Sequence, residues 1–279
     1  HAAKADAIVI RTQPLSAATI ASAPNLKIVS RHGVGYDAVD VTALNNRKIP
    51  LAIVGDVNSG SVAEHAMMLI LAASHRLIRA DQSVRSGNWG WRNRLEASEV
   101  AGKRLLIVGY GRIGRNLARM ATAFGMEVVA HDPYLEKAGW PEGPVRPAPD
   151  STAALASADV VSLHVPKPEK PVLGVEEIAM LKKGAIIINT ARGGSVDEIA
   201  LAEALKSGQI GAIGFDVFDD EPPAASHPLT GFDQAILTPH NAALTVECGE
   251  RMAVQSVQNV LDFFAGRLDA GLIVNKDKI

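Results

Sequence analysis

The sequence predicts an α/β protein of two parallel-sheet units, and three observations predict it. Short apolar runs of strand length alternate with helically periodic segments along nearly all of the 279 residues, the pattern of βα units on a parallel sheet. A glycine turn, "GYGRIG" at 109–114, falls between one such run and one such helix. Three residues of complementary chemistry, Arg192, Glu221 and His240, each follow an apolar run. In an open parallel sheet such positions share one edge.

Before residue 100 the expected strands are "AIVI" (7–10), "LKIVS" (26–30) and "LAIV" (51–54). A long helix is then expected over 61–78. Ser61 and Glu64 stand at capping-box spacing, and Val62, Ala66, Leu69, Ile70, Ala73 and Leu77 form an apolar stripe. After the polar segment 85–102 a second series begins with the strand "KRLLIVG". The helix over 112–124 follows, with Ile113, Leu117, Met120 and Phe124 on one face and Gly125 as its C-terminal cap. "MEVVAHD", "DVVSLHV", "AIIINTA" and "IGAIGFDV" read as further strands, separated by helical stretches near 151–158, 176–182 and 196–206. The Pro-rich patches 140–150 and 221–231 read as loops, and a helix from Thr245 to Ala265 closes the series. The second unit is therefore central and self-contained. The first combines the N-terminal residues with the C-terminal tail.

Composition narrows the function. Hydrophobic residues make up 47% and charged residues 21%, as in soluble globular proteins. A net charge of −2 provides no electrostatic footprint for nucleic acid or an anionic membrane. The most apolar stretch, "AMMLILAA" (66–73), is far shorter than the roughly 20 residues that span a bilayer. Cys248, the sole cysteine, forms no internal disulfide and no Cys-rich metal site, so a reducing, cytoplasmic setting and no metal are expected. No charged-then-apolar leader opens the chain, which starts as if cut into a domain, and His1 reads as foreign to that domain.

The glycine turn points to a dinucleotide. Gly109, Gly111 and Gly114 have G-x-G-x-x-G spacing, a strand precedes them and a helix opens within them. Asp132 ends the next strand, eighteen residues after Gly114. Such glycines let the backbone approach a pyrophosphate seated on the helix N-terminus. Asp132 suits ribose hydroxyls and repels a 2′-phosphate, and Pro133-Tyr134 offers no arginine in its place. NAD is expected rather than NADP.

Arg192, Glu221 and His240 supply what hydride exchange with a hydroxy acid requires. Histidine takes or returns the hydroxyl proton. A carboxylate orients the imidazole and favours its charged form, and an arginine binds a carboxylate in bidentate fashion while polarising the adjacent carbonyl. The other histidines read as structural, although His164 abuts the cofactor loop.

Taken in order, "GVGYDAVD", "GYGRIG", "NTARGG", "DVFDDEPP" and "TPH" resemble the motifs of the D-isomer-specific 2-hydroxyacid dehydrogenases over essentially the whole chain. The resemblance implies a Rossmann NAD-binding domain (59–240) inserted in a smaller flavodoxin-like α/β substrate domain (1–58 plus 241–279), an active site in the cleft, and a homodimer. It implies Arg192, Glu221 and His240 as the catalytic trio. Gly109, Gly111, Arg112, Ile113, Gly114, Asp132, Val165, Pro166, Thr190, Ala191 and Asp216 would hold the cofactor. The loop with Gly33, Val34 and Gly35 would bind the substrate carboxylate. Family members usually begin about one strand and one helix earlier, and "VPKPEKPVLG" lacks their threonine-rich form.

Arg11 and Arg31 each follow an early strand. In relatives resembling 3-phosphoglycerate dehydrogenase such arginines help bind a phosphate, so an anionic 2-hydroxy acid is expected. Glyoxylate or hydroxypyruvate reduction is the alternative. An NAD(H)-sensing, corepressor-like interaction protein is the rival of another class, and formate oxidation a further possibility within the fold.

Overall fold

The computed structural model describes residues 2–279, and His1 lies outside the described residues. In chain order the elements are β1 (Ala7–Ile10), α1 (Ala17–Ala21), β2 (Ile28–Arg31), α2 (Val41–Asn46), β3 (Leu51–Ala52), α3 (Ser59–Ser74) and α4 (Leu77–Arg85). Then come β4 (Arg104–Val108), α5 (Arg112–Ala123), β5 (Glu127–His131), α6 (Pro133–Ala138), β6 (Arg146–Pro147), α7 (Ser151–Ser157) and β7 (Val160–Leu163). The chain ends with α8 (Val175–Met180), β8 (Ala185–Asn189), α9 (Glu198–Ser207), β9 (Ile210–Phe215), β10 (Ala235–Leu237) and α10 (Val246–Phe264). Contacts divide it into two units, one running through Ser59 and resuming at Ala243–Ile279, the other Gly60–Ala242.

The first unit holds a parallel sheet in the order β1-β2-β3. Ile20, Leu26, Val29, Leu44 and Leu51 are buried beside it. Two buried asparagines attach the C-terminal segment. Asn259 on α10 donates to the Ile53 carbonyl at 3.0 Å. Asn275 accepts from the Leu51 amide at 2.8 Å and donates to the Ile49 carbonyl at 3.0 Å. A buried backbone group without such a partner costs about 1–3 kcal/mol, so these side chains substitute for ladder bonds where β3 stops after two residues.

The second unit is a seven-stranded, all-parallel sheet in the order β10-β9-β8-β7-β4-β5-β6. Strands β4, β7 and β8 are almost wholly buried, as a sheet covered on both faces requires. One layer of core includes Leu106, Leu163, Ile187 and Phe215; the other includes Leu69, Ile70, Leu105 and Leu117. The strand order reverses between β4 and β7, the place where doubly wound sheets open a binding crevice at the carboxyl ends of their strands. This is the α/β class and Rossmann arrangement the sequence implies.

Local expectations needed correction. The helix expected over 61–78 is two helices, because Arg76 takes a left-handed conformation (φ 54°) and donates to the Gly211 carbonyl at 2.7 Å. Leu77 therefore leaves the apolar stripe and is 54% exposed. Helix α3 starts at Ser59, so Ser61 is not its cap; its hydroxyl donates to the Ala242 carbonyl at 2.7 Å. The cap of α5 is Phe124, exposed rather than on the buried face, with Gly125 (φ 76°) just beyond. The "loop" 140–150 contains β6, which pairs with Val129 and Ala130. Its Pro147 is tolerated at the sheet edge.

Candidate active site

The glycine turn is built by close approach. Gly109 (φ 93°) lies where a Cβ would sit 2.5 Å from the His164 carbonyl oxygen, and a Cβ on Gly114 would sit 2.4 Å from the Gly109 carbonyl. Gly111, by contrast, has nothing within 4 Å of its would-be Cβ. It opens α5 without a side-chain cap, which leaves amides and the positive dipole end available to an anion. Arg112 is exposed and Ile113 half-buried on the first turn. These features fit a dinucleotide pyrophosphate.

Asp132 is tied on both oxygens. One accepts the Tyr110 amide at 2.9 Å; the other caps α6, accepting from Tyr134 and Leu135 at 3.1 Å each. The carboxylate thus joins the glycine turn to the end of β5. Tyr110 also stacks on Trp140, ring centroids 5.2 Å apart and nearly coplanar, and Arg115 donates to the Tyr110 carbonyl. Across the turn, Val165 approaches Gly109, and Pro166 is exposed beside it. The His164 ring bonds to Ser162 at 2.9 Å, and burial pushes its pKa down to about 4.

Arg192, Glu221 and His240 follow β8, β9 and β10, all at the carboxyl edge of one sheet. The Arg192 turn is shaped by buried Asn189, which accepts from the Ala191 amide at 3.1 Å and donates to the Arg192 carbonyl at 3.0 Å. The Arg192 guanidinium donates to the Ala191 carbonyl at 2.6 Å. Thr190 is buried, its hydroxyl without a partner. The turn then presses on the one after β9: a Cβ on Gly193 would lie 1.8 Å from the Phe218 carbonyl oxygen, and the Gly194 amide donates to Asp219.

Glu221 and His240 are in contact. The imidazole Nδ1 lies 2.7 Å from one Glu221 oxygen, and the other accepts the Phe218 amide at 3.1 Å. A carboxylate partner makes Nδ1 the protonated nitrogen, so Nε2 is left to exchange a proton. His240 itself is left-handed (φ 49°). Asp216, 1% exposed, accepts from Asn241 and Ala242 on the far side of that turn, at 2.9 Å each.

Sequence reasoning passed over a second pair behind this site. Glu198 and His227 meet at 2.9 Å, and Glu198 also accepts the Asp219 amide at 3.2 Å. Burial raises the Glu198 pKa, and the His227 hydrogen bond opposes it. His227 Nδ1 accepts from Leu229, so Nε2 carries the proton shared with Glu198. No periodicity marks two residues on a helix and a loop; only their shared desolvation does.

In the first unit, Arg31 Nη1 donates to the His32 carbonyl at 2.6 Å and more weakly to Ile10 at 3.4 Å. It lies 3.3 Å from where a Gly33 Cβ would be, so it braces the loop of Gly33 (φ 140°), Val34 and Gly35. Arg11 is exposed. Among the described residues no cluster of His, Cys, Asp and Glu could hold a metal ion, and no helix is long and apolar enough to cross a membrane.

Residues 67–242 match the family model described as D-isomer specific 2-hydroxyacid dehydrogenase, NAD binding domain. The chain is 39% identical to a D-3-phosphoglycerate dehydrogenase of Methanocaldococcus jannaschii, over 99% of this chain and 52% of that protein. It is 37% identical to a hydroxypyruvate reductase of Thermotoga maritima, over 91% of this chain and 83% of the relative. Among solved structures it resembles an Aquifex aeolicus D-lactate dehydrogenase complexed with NAD and lactic acid, with TM-score 0.85 and 30% identity over 98% of this chain and 87% of that one. The chain spans about half the length of the D-3-phosphoglycerate dehydrogenases it matches.

Proposed function

Because the chain belongs to the D-isomer specific 2-hydroxyacid dehydrogenase family, we propose that it interconverts a D-2-hydroxy acid and its 2-oxo acid with NAD. The observation that carries this reading is the 2.7 Å contact between His240 Nδ1 and Glu221 at the carboxyl edge of the sheet that bears the glycine turn.

NAD, when bound, supplies the hydride acceptor, and NADH the donor. The chain's residues do the rest. Gly109, Gly111 and Gly114 with Arg112 and Ile113 form the pyrophosphate seat, and Asp132 takes the ribose hydroxyls. Val165, Pro166, Thr190, Ala191 and Asp216 are assigned to the nicotinamide end. The backbone around Val34 and Gly35 is assigned to the substrate carboxylate. The Arg192 guanidinium pairs with that carboxylate and polarises the neighbouring carbon–oxygen bond. His240 Nε2 removes the hydroxyl proton during oxidation and returns it during reduction, while Glu221 stabilises the imidazolium. The domain roles follow: the segments 1–58 and 241–279 bind substrate, and 59–240 binds cofactor.

For the substrate we favour an anionic 2-hydroxy acid such as 3-phosphoglycerate, with Arg11 and Arg31 as extra cations near the substrate loop. A glyoxylate or hydroxypyruvate reductase is the second reading, because the Thermotoga relative is matched over most of its own length. A homodimer is proposed from the apolar side chains exposed on α3, α4 and the segment after it: Met68, Leu77, Ile78, Val84, Trp89 and Leu95. The lone thiol of Cys248, buried at 0% exposure, suits the reducing cytoplasm, where we place the protein.

The test follows NADH oxidation with hydroxypyruvate, glyoxylate, phosphohydroxypyruvate and 2-oxoglutarate, in the parent and in His240→Ala. Turnover by the parent and not by the variant supports the reading. Equal turnover by both refutes the role of His240. Tight NADH binding with no turnover of any 2-oxo acid moves the assignment to an NAD(H)-sensing interaction protein.

A further inference from the structure

The turn that carries His240 is held from a helix far away in sequence, and we propose that His65 on α3 is a positioning residue for His240, acting through Thr238 and Asp216. The proposal rests on the acid/base reading of His240.

A bulky non-glycine residue in the left-handed region costs on the order of 1–3 kcal/mol and persists only where its surroundings over-determine it. Histidine tolerates that conformation better than most side chains do, yet it is still costly, and the neighbouring bonds hold it there. They lie on both sides of the residue. Before it, the Thr238 amide donates to the Phe215 carbonyl at 2.8 Å, and the His240 amide turns back onto the Thr238 carbonyl at 3.0 Å. After it, the Asn241 and Ala242 amides each donate to a different oxygen of Asp216 at 2.9 Å. Ser61 on α3 donates to the Ala242 carbonyl at 2.7 Å. Five hydrogen bonds thus fix the backbone on both sides of residue 240.

Asp216 completes its shell with the Thr238 hydroxyl, 2.6 Å from the oxygen that also takes the Asn241 amide. A hydroxyl has one proton to give. Thr238 has a weaker alternative acceptor, the uncharged Phe215 carbonyl at 3.4 Å. His65 Nε2 lies 3.0 Å from the Thr238 oxygen but 3.6 Å from Asp216. The imidazole therefore reaches the carboxylate through the hydroxyl, not directly. Its Nε2–H donates to Thr238, occupies a lone pair and leaves the hydroxyl proton aimed at Asp216. Desolvation lowers the His65 pKa while the Asp216 charge opposes it; the neutral ring with hydrogen on Nε2 is the form that serves here.

The chain from His65 to Thr238 to Asp216 to the amides of Asn241 and Ala242 is thus one continuous relay within the second unit. Its members come from α3, from the end of β10 and from the end of β9. Removing the imidazole frees the hydroxyl to turn and strips Asp216 of its shortest bond, and the turn at His240 loosens. The Nδ1 contact with Glu221 then loses its fixed geometry, while the glycine turn after β4 is untouched.

The experiment compares His65→Leu, Thr238→Val, their double variant and His65→Gln, whose amide nitrogen stands near the position of Nε2. Amide hydrogen exchange at Asn241 and Ala242 is read against Ile187 and Ile213. In His65→Leu and Thr238→Val the two turn amides should exchange at least about tenfold faster, with the sheet amides unchanged. With the best 2-oxo acid, kcat should fall about tenfold or more. The double variant should be no worse than Thr238→Val, because the two act in series. His65→Gln should recover most of both signals. Unchanged protection at Asn241 and Ala242, or losses that multiply in the double variant, overturn the proposal. If the parent turns over no 2-oxo acid, the dehydrogenase reading has failed, and the exchange measurement still decides whether His65 holds the turn. If His65→Leu does not fold, Thr238→Val and His65→Gln decide by the same criteria.

Discussion

Replacing Gly193 by alanine should disable the site without touching any residue that contacts substrate. The methyl group would stand 1.8 Å from the Phe218 carbonyl oxygen, 2.3 Å from its carbon and 2.8 Å from the Asp219 nitrogen. A carbon–oxygen contact ordinarily settles at roughly 3.3 Å or more, so the two turns must part by about 1.5 Å. All three obstructing atoms are backbone, and no side chain can swing away. The turn after β8 carries Arg192, and the turn after β9 leads to Glu221 and through it to His240. A displacement of about 1 Å in such groups can cost about a hundredfold in rate, and overpacking costs about 1–3 kcal/mol of stability. We expect kcat to fall by about two orders of magnitude, with NADH affinity near the parent's because the glycine turn at 109–114 is remote from the clash. Gly194→Ala is the control. Its φ of 77° is unfavourable for alanine where that of Gly193 is not, but nothing lies within 4 Å of the new methyl, so it should cost about 1 kcal/mol of stability and far less rate. Steady-state kinetics, NADH fluorescence titration and thermal melts measure all three quantities. If Gly193→Ala turns over within threefold of the parent, or is no worse than Gly194→Ala, the claim that this contact sets the spacing of Arg192 and Glu221 is wrong.

Gly111→Ala should behave in the opposite sense: its φ of −76° is ordinary and its methyl meets nothing, so the melting temperature should hold while NADH binding weakens. An unchanged NADH dissociation constant would remove the pyrophosphate from that helix terminus. Glu221→Gln keeps the shape but replaces the carboxylate facing His240 Nδ1 at 2.7 Å, and kcat should fall by about 10²-fold or more with little change in fold; turnover at the parent rate would end the pairing argument. For pH, the His164 pKa is depressed to about 4 from 6.5, so the unfolded chain binds a proton there that the folded chain refuses. The stability this contributes is present above pH 6.5 and lost as the pH falls towards 4, to about 3 kcal/mol at most. Denaturant titrations of the parent and His164→Gln between pH 7 and 4 should therefore converge as the pH drops, and parallel curves would refute the assignment.

The sequence was legible wherever a local constraint wrote itself into residue type. Gly109 and Gly114 are glycine because their backbones nearly touch other backbones, and that need survives in the spacing alone. The apolar runs of β4 and β8 are uninterrupted because both faces are covered, which reveals a parallel sheet before any fold is drawn. The same reasoning failed at Arg76, where helical periodicity continues but the chain turns left-handed to reach the Gly211 carbonyl. It failed at Ser61 for a similar reason: capping-box spacing was present, but the hydroxyl was recruited by Ala242. In both cases a tertiary partner outweighed a local preference worth about 1 kcal/mol or less.

Asp132 is a mixed case. Its place after a strand suggested a ribose ligand, and the structure adds that the same carboxylate caps α6 and holds the Tyr110 amide. His65 and Thr238 are the clearest omission. They meet at 3.0 Å across 173 positions of sequence, and nothing in a helical histidine beside Glu64 distinguishes it from one that merely fills a face.

By itself, then, the sequence determined the α/β class, the family, the glycine turn and the strand ends on which Arg192, Glu221 and His240 stand, because each follows from local periodicity or from a backbone requirement of one residue. Only the tertiary structure decided how those side chains are held: the backbone contact at Gly193, the left-handed His240, and the Asp216 carboxylate that gathers two amides and a hydroxyl. Such arrangements join residues distant in sequence through single hydrogen bonds or contacts of a few ångströms, and those distances exist only once the chain has folded.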